Sequence, residues 1–216
     1  AAAAVQWRLG ECVTAADLTA RTVTLADGQV LDWQGLVVAT GLRPRRLTLA
    51  GPAAGRYVIR TVEDAAALRA VLVPGARLVV VGAGFIGCEV AATARRLGVE
   101  VDVVAPEAVA LQRPLQDRLG AALQHRHEAH GVRFHLGVVP VEFRSADRVQ
   151  AVMLSDGTEL AADAVLEAVG CVPNVEWLAG NGLDLSDGLL CDNQLRVEAH
   201  RDVVGCGDVA RFPNRL

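Results

Sequence analysis

Residues 77–104 run Arg77-Leu-Val-Val-Val81-Gly82-Ala-Gly84-Phe85-Ile86-Gly87-Cys88-Glu89-Val90-Ala91-Ala-Thr-Ala94-Arg-Arg-Leu97-Gly98-Val99-Glu-Val-Asp102-Val-Val104. Arg77–Val81 is a short, continuous, β-branched apolar run, the pattern of a parallel strand buried on both faces. Gly82-Ala-Gly84-Phe85-Ile86-Gly87 follows at once. Cys88–Leu97 then reads as a helix, with Val90, Ala91, Ala94 and Leu97 on one face and Gly98 as its stop. Val99–Val104 is a second apolar strand.

A Gly-x-Gly-x-x-Gly by itself says little. Enclosed by strand, helix and strand within about 30 residues, it reads as a dinucleotide-binding βαβ unit. Each glycine has its own task. Gly82 permits the tight turn, Gly84 lets the backbone approach a pyrophosphate, and Gly87 lets helix and strand pack closely. The helix N-terminus then presents free N–H groups and its positive dipole end to the phosphates.

The acidic residue that usually closes the second strand and binds the adenosine ribose is absent: Ala105 and Pro106 stand there. Asp102 lies inside the strand and Glu107 two residues late, so neither is well placed to substitute. Arg113 is near, but no pair of arginines follows closely enough to signal a 2′-phosphate. The choice between NADH and NADPH stays open on these residues, with NADH favoured.

Working outward, the 216-residue chain is long enough to bury a core, in one large domain or two small ones. With 52% apolar and 21% charged residues it is globular in composition. A net charge of −4 and pI near 5.7 argue against a nucleic-acid partner. Every basic residue apart from histidine is Arg, which we read as genomic bias. No apolar run approaches the roughly 18–20 residues of a membrane span, and Ala1–Ala4 lacks the flank of a signal peptide.

Cys12, Cys88, Cys171, Cys191 and Cys206 never fall in the close pairs that metal or dithiol chemistry needs. They read as buried thiols of a reducing, cytoplasmic compartment. His125, His127 and His130 crowd a helix ending near Gly131. Their spacing does not put all three on one face, so no metal site is expected.

A second pattern repeats. Val23–Gly41 aligns without gaps to Val152–Gly170. Both copies carry an Asp-Gly turn between alternating strands, at Asp27-Gly28 and Asp156-Gly157. Both then run through an apolar strand into Gly-x-x-Pro, at Gly41–Pro44 and Gly170–Pro173. A duplicated unit accounts for this. In the second copy Gly82 precedes Asp156 by 74 residues (156 − 82). The matching fingerprint of the first copy would lie before residue 1, so the expectation is a fragment.

Four segments carry a family resemblance: Ala39-Thr-Gly-Leu-Arg-Pro-Arg45, Val81–Ala91, Gly170-Cys-Val-Pro-Asn-Val-Glu-Trp-Leu178 and Gly205-Cys-Gly-Asp-Val-Ala-Arg211. On these the chain resembles the FAD-dependent pyridine nucleotide-disulfide oxidoreductase superfamily, and within it the ferredoxin and rubredoxin reductases that serve oxygenases. The resemblance implies an α/β fold: a Rossmann-like NAD(P)-binding domain with a central parallel sheet and an antiparallel β-meander, plus partial FAD-domain segments. It divides the chain into the back of a first FAD segment (1–60), the NAD(P) domain (61–184) and the start of the returning FAD segment (185–216).

The same resemblance assigns candidate cofactor-binding residues. Gly82, Gly84, Phe85, Ile86 and Gly87 would meet the dinucleotide, Glu89 the nicotinamide end, and Gly170 would let the nicotinamide approach a strand end. Glu89 would also suit the dipole of its helix with no ligand at all. Thr40 and Gly41 would line the flavin, with Arg43 and Arg45 near it or its phosphates. Asp208 would accept hydroxyl bonds from the FAD ribityl chain. Asn174 and Trp177 are expected to fix the loop rather than bind ligand.

The implied activity is NAD(P)H-dependent reduction of flavin, with electrons passed on to a ferredoxin or rubredoxin and no catalytic acid–base residue. No membrane partner is expected. The absence of a dithiol argues against disulfide or thioredoxin reduction. Two alternatives stand beside this reading: an NADH oxidase or peroxide-reducing relative, and a non-catalytic NAD(H)-binding sensor module.

Overall fold

A computed structural model describes residues 5–213, so Ala1–Ala4 lie outside it. The described residues form two compact units, 5–43 with 172–213 and 44–171. The second is therefore a continuous segment inserted into the first.

The first unit opens with strands β1 (Val13–Asp17), β2 (Thr22–Leu25) and β3 (Val30–Asp32), an antiparallel sheet in sequence order. The Asp27-Gly28 turn joins β2 to β3: Gly28 takes φ +88° and the Asp27 carboxylate accepts from the Gln29 amide at 2.9 Å. β4 (Leu36–Val38) and β5 (Leu42–Pro44) follow.

The inserted unit begins with β6 (Arg56–Tyr57) and α1 (Val62–Val71). Thr61 and Asp64 cap α1 reciprocally, which satisfies two of its otherwise unbonded N–H groups. Then come β7 (Arg77–Val81), α2 (Phe85–Arg96), β8 (Glu100–Ala105), α3 (Gln112–Ala129) and β9 (Val132–Leu136). A meander of β10 (Pro140–Arg144), β11 (Ala151–Leu154) and β12 (Glu159–Ala161) precedes β13 (Ala164–Glu167). The order β6-β13-β7-β8-β9 is parallel throughout.

The alternation inside β7 explains its unbroken apolar run. Leu78 and Val80 pack with Ala91, Ala94 and Leu68 of the helices, while Val79 and Val81 pack with Phe143, Val152 and Leu154 of the meander. Helices cover one face of the sheet and the meander covers the other, as a doubly buried parallel strand requires. Helix α2 starts at Phe85, three residues earlier than its apolar periodicity indicates, because Gly84 already serves as its N-cap.

The chain returns to the first unit through β14 (Cys171–Pro173), then β15 (Leu189–Leu190), β16 (Arg196–Val197), β17 (His200–Gly205), a one-turn 3₁₀ helix at Gly207–Val209 and β18 (Ala210–Arg211). β17 pairs in parallel with β4, placing Gly205 opposite Val38.

The internal repeat holds residue by residue. Adding 129 (152 − 23) carries Val23↔Leu31 onto Val152↔Leu160, both observed cross-strand pairs. Gly28 maps onto Gly157 at φ +87°, and β4 and β5 map onto β13 and β14.

The compact units divide at 43/44 and 171/172. Residues 44–60 join the inserted unit through Glu167, which is buried at the end of β13. Its carboxylate accepts from the Leu47 amide at 2.6 Å and from Arg56 Nε at 2.7 Å.

The cysteines also differ from expectation. Cys88 and Cys191 are buried, but Cys12 and Cys206 are exposed and Cys171 is half-buried. Cys12 leads into β1, whose residues are mostly exposed or half-buried, and Cys206 lies in the turn after β17. Burial lifts the Cys88 thiol to about 11, with the nearby Glu89 charge adding to it.

Candidate functional site

A cleft of about 270 Å³ opens at the carboxyl ends of β7 and β13. From β7 the chain winds outward to β8 and β9, while β13 lies on the other side. The cleft therefore sits at the topological switch point, where open α/β sheets bind ligands.

Backbone geometry separates the glycines by task. Gly82 has φ +109°, and a Cβ there would stand 2.3 Å from the Ala168 carbonyl oxygen. A Cβ on Gly87 would stand 2.0 Å from the carbonyl oxygen of Gly82, which is how α2 comes to press on the turn. Gly84 caps α2 with extended backbone (φ −80°, ψ −171°), and a Cβ there would meet nothing within 4 Å. No side chain caps this helix end, so its first N–H groups are left for a ligand. An opening at Gly84 above a floor tight at Gly82 and Gly87 is the shape a pyrophosphate needs.

Gly170 forms the opposite wall at φ +94°, with Ala168 and Val169. Its carbonyl accepts from the Arg45 amide at 2.9 Å. Of the predicted residues, Gly82, Gly84 and Gly170 thus line one cleft, with Gly87 buried beneath. Phe85 and Ile86 stand exposed in the first turn of α2 and do not line it. Glu89 faces a separate groove between α1 and α2, beside Leu68 and Arg69.

The far wall is made by residues 106–114. Leu111 donates its amide to the Ala83 carbonyl at 2.9 Å, which ties the start of α3 to the glycine turn. Leu111 and Gln116 both take left-handed backbone, at φ 57° and 60°. Glu107 lines the cleft, and its carboxylate lies 3.1 Å from Arg113 Nε. Sequence reading ranked Asp102 and Glu107 alike; the structure separates them.

Asp102 is buried in β8 and spoken for by Arg133 (2.8 and 2.7 Å) and His135 (2.8 Å). Burial opposes its ionisation, but these bonds and charges outweigh burial and hold the carboxyl below its ordinary value. A depressed folded pKa contributes stability present above the unfolded value, about 3.9. That contribution is lost as pH falls through the folded value. Asp102→Asn is expected to lower stability by about 1–2 kcal/mol at pH 7. The gap from wild type in urea midpoint should shrink below about pH 4. An equal gap at pH 7 and pH 3 would show that the Asp102 charge contributes nothing.

In the first unit, β4 and β17 are parallel neighbours, so the turns after them emerge at one edge. Thr40 and Gly41 follow β4 and Asp208 follows β17, which brings these three predicted positions to the same end of the pair. Asn174 fixes the turn. It donates to the Thr40 carbonyl (2.9 Å), while its own amide bonds the Gly41 carbonyl (3.0 Å) and its carbonyl accepts from Thr40 Oγ1 (2.6 Å). Arg43 is tied to Asn174 Oδ1 (2.9 Å) and to Glu176, whose carboxyl this hydrogen bonding lowers. Trp177 and Trp33 both pack on the core of this unit.

No helix among the described residues is long and apolar enough to cross a membrane. Over residues 1–216 the chain matches the family described as pyridine nucleotide-disulphide oxidoreductase. It is 42% identical over 212 residues to the ferredoxin–NAD(+) reductase component of an anthranilate 1,2-dioxygenase system from Burkholderia cepacia, covering 97% of this chain and 52% of that protein. To putidaredoxin reductase of Pseudomonas putida it is 37% identical, covering 100% and 53%. Among solved structures, the covalent putidaredoxin reductase–putidaredoxin complex superposes with a TM-score of 0.90 at 35% identity, covering 95% of this chain and 51% of that one. The chain spans about half the length of these relatives.

Proposed function

The chain belongs to the pyridine nucleotide-disulphide oxidoreductase family, and on that ground we propose that residues 44–171 hold the NADH of an FAD-dependent reductase. The observation that carries this reading is the glycine-walled cleft at the switch point of the parallel sheet. Gly84 and the N–H groups of α2 receive the pyrophosphate. Gly82 and Gly87 hold turn and helix so that the phosphates come within reach of those donors. Gly170, with no side chain, leaves room for the nicotinamide at the strand end. Phe85, Ile86 and Glu89 flank this site along the start of α2.

Thr40, Gly41, Arg43 and Asp208 are assigned to the flavin, at the edge where β4 and β17 end. When both cofactors are bound, they supply hydride transfer from nicotinamide to flavin and one-electron release to a carrier. The carrier is of ferredoxin type, by analogy with the named relatives, and the resemblance in sequence extends the proposal to a rubredoxin. Five unpaired cysteines fit a cytoplasmic protein.

In the full-length protein, NADH added without oxygen should bleach the flavin absorbance, and an oxidised ferredoxin should restore it. A flavin that stays oxidised would defeat the reductase reading.

Within this reading, Glu107 takes the place of the missing strand-end acid and accepts from the ribose hydroxyls, with Arg113 holding it in place. Glu107→Gln is expected to cut the preference for NADH over NADPH about tenfold, the scale of one hydrogen bond to a charged group. Parallel titrations of the two dinucleotides by calorimetry check it. An unchanged ratio would remove Glu107 from the site.

A further inference from the structure

A second cleft, of about 560 Å³, lies where α2 and α3 end and β9 begins. This is the amino-terminal edge of the parallel sheet, opposite the glycine turns. Ala92, Leu123 and Val132 give it an apolar floor. Five basic side chains converge on it: Arg95 and Arg96 from α2, and Arg126, His127 and His130 from α3. The chain as a whole carries a net charge of −4, so three arginines on one cleft are not a sample of the average surface.

Their bonding adds a second argument. Basic residues near helix C-termini suit the dipole, but Arg95 does more than cap. Its Nε donates to the His130 carbonyl at 3.1 Å and its Nη1 to the Val99 carbonyl at 2.7 Å. The guanidinium is thereby fixed before any ligand arrives, and a fixed cation loses little rotamer freedom on binding. No carboxylate lines the cleft. Two acidic residues close in sequence to the lining are paired with other side chains: Glu128 with His125 and Gln124, and Glu100 with Arg133. His127, edge-on to Phe134, is held below its ordinary pKa by burial first, then by the charges of His130 and Arg126.

We infer that this cleft binds an organic anion, a small molecule joining one carboxylate, sulfonate or phosphate to an apolar body of aromatic-ring size. The apolar floor takes the body, and Arg95, Arg96 and Arg126 surround the anionic group. A volume in the range of small-molecule pockets fits such a ligand. The site is separate from the dinucleotide cleft, so its ligand does not depend on the redox reading.

The test uses 8-anilinonaphthalene-1-sulfonate against its uncharged counterpart N-phenyl-1-naphthylamine, in the purified protein. The sulfonate should bind saturably at one site per chain with enhanced fluorescence, at least about tenfold more tightly than the amine. Excess NADH should leave it bound. Arg96→Ala with Arg126→Ala should weaken it about tenfold while the melting temperature stays unchanged, since both side chains are exposed. Equal binding of the two dyes, displacement by NADH, or indifference to the double substitution would each overturn the assignment. If the double variant melts lower, Arg96→Lys with Arg126→Lys should keep sulfonate binding within about threefold, and a larger loss would overturn it.

Discussion

Gly87→Ala is expected to destabilise the inserted unit by about 3 kcal/mol, a fall of roughly 6–12 °C in melting temperature. The added methyl carbon would stand 2.0 Å from the Gly82 carbonyl oxygen and 3.2 Å from a methyl of Val80. Neither neighbour can give way cheaply. The first is backbone, held by a turn whose amide bonds the Val104 carbonyl at 2.8 Å, and the second is fully buried in β7. Relief would require α2 to lift from the sheet, opening contacts made by Ala91 and Ala94, both without exposed surface. Thermal unfolding followed by circular dichroism is the measurement. A variant melting within 2 °C of wild type would mean that helix and turn are not in contact at Gly87.

Gly84→Ala should do the reverse, sparing the fold and destroying the binding. Its backbone, at φ −80° and ψ −171°, suits any residue, and the methyl would meet no atom of the chain. The stability cost should stay near 1 kcal/mol, the penalty for alanine as an N-cap. NADH affinity should fall on the order of a hundredfold, because the methyl stands between the helix N–H groups and the phosphates. Breaking even one charge-assisted hydrogen bond costs about 1.5–3 kcal/mol. Calorimetric titration of folded variant and wild type measures this. Dissociation constants within threefold of each other would take the pyrophosphate away from Gly84. The two alanines, three positions apart, thus separate packing from ligation.

What could be read from sequence was local. The glycine fingerprint announces a strand, a turn and a helix within a dozen residues. The Asp-Gly hairpins carry their own turn chemistry, so the repeat aligns on sequence alone. Glu167 shows the opposite case. A lone carboxylate in a strand reads as a solvent-facing position, but its partners Arg56 and Leu47 lie 111 and 120 residues earlier in the chain. Only the parallel pairing of β6 with β13 brings them together.

Asp102 and Glu107 were equal candidates for the same reason. Strand alternation turns Asp102 onto Arg133 and His135 of β9, and the chain beyond β8 turns Glu107 into the cleft. Cys12 and Cys206 are exposed although cysteine is on average buried, because residue type sets an average and neighbours set the case. Glu167 likewise recruits Leu47 and Arg56 across a distance that no local pattern records.

The hydrogen bond from the Arg45 amide to the Gly170 carbonyl joins the two ends of the inserted unit. Once that unit has folded, its 128 residues (44–171) span a gap of one hydrogen bond. For the surrounding unit, whose β4 must find β17 well over a hundred positions away, the long excursion becomes a short rigid bridge. Closing an unstructured loop of that length would cost entropy that grows with the logarithm of its length, and such non-local pairing is slow. A prefolded insert removes most of that search. Insertion here is a matter of chain connectivity more than of packing: the host loses little by carrying a guest whose ends already meet.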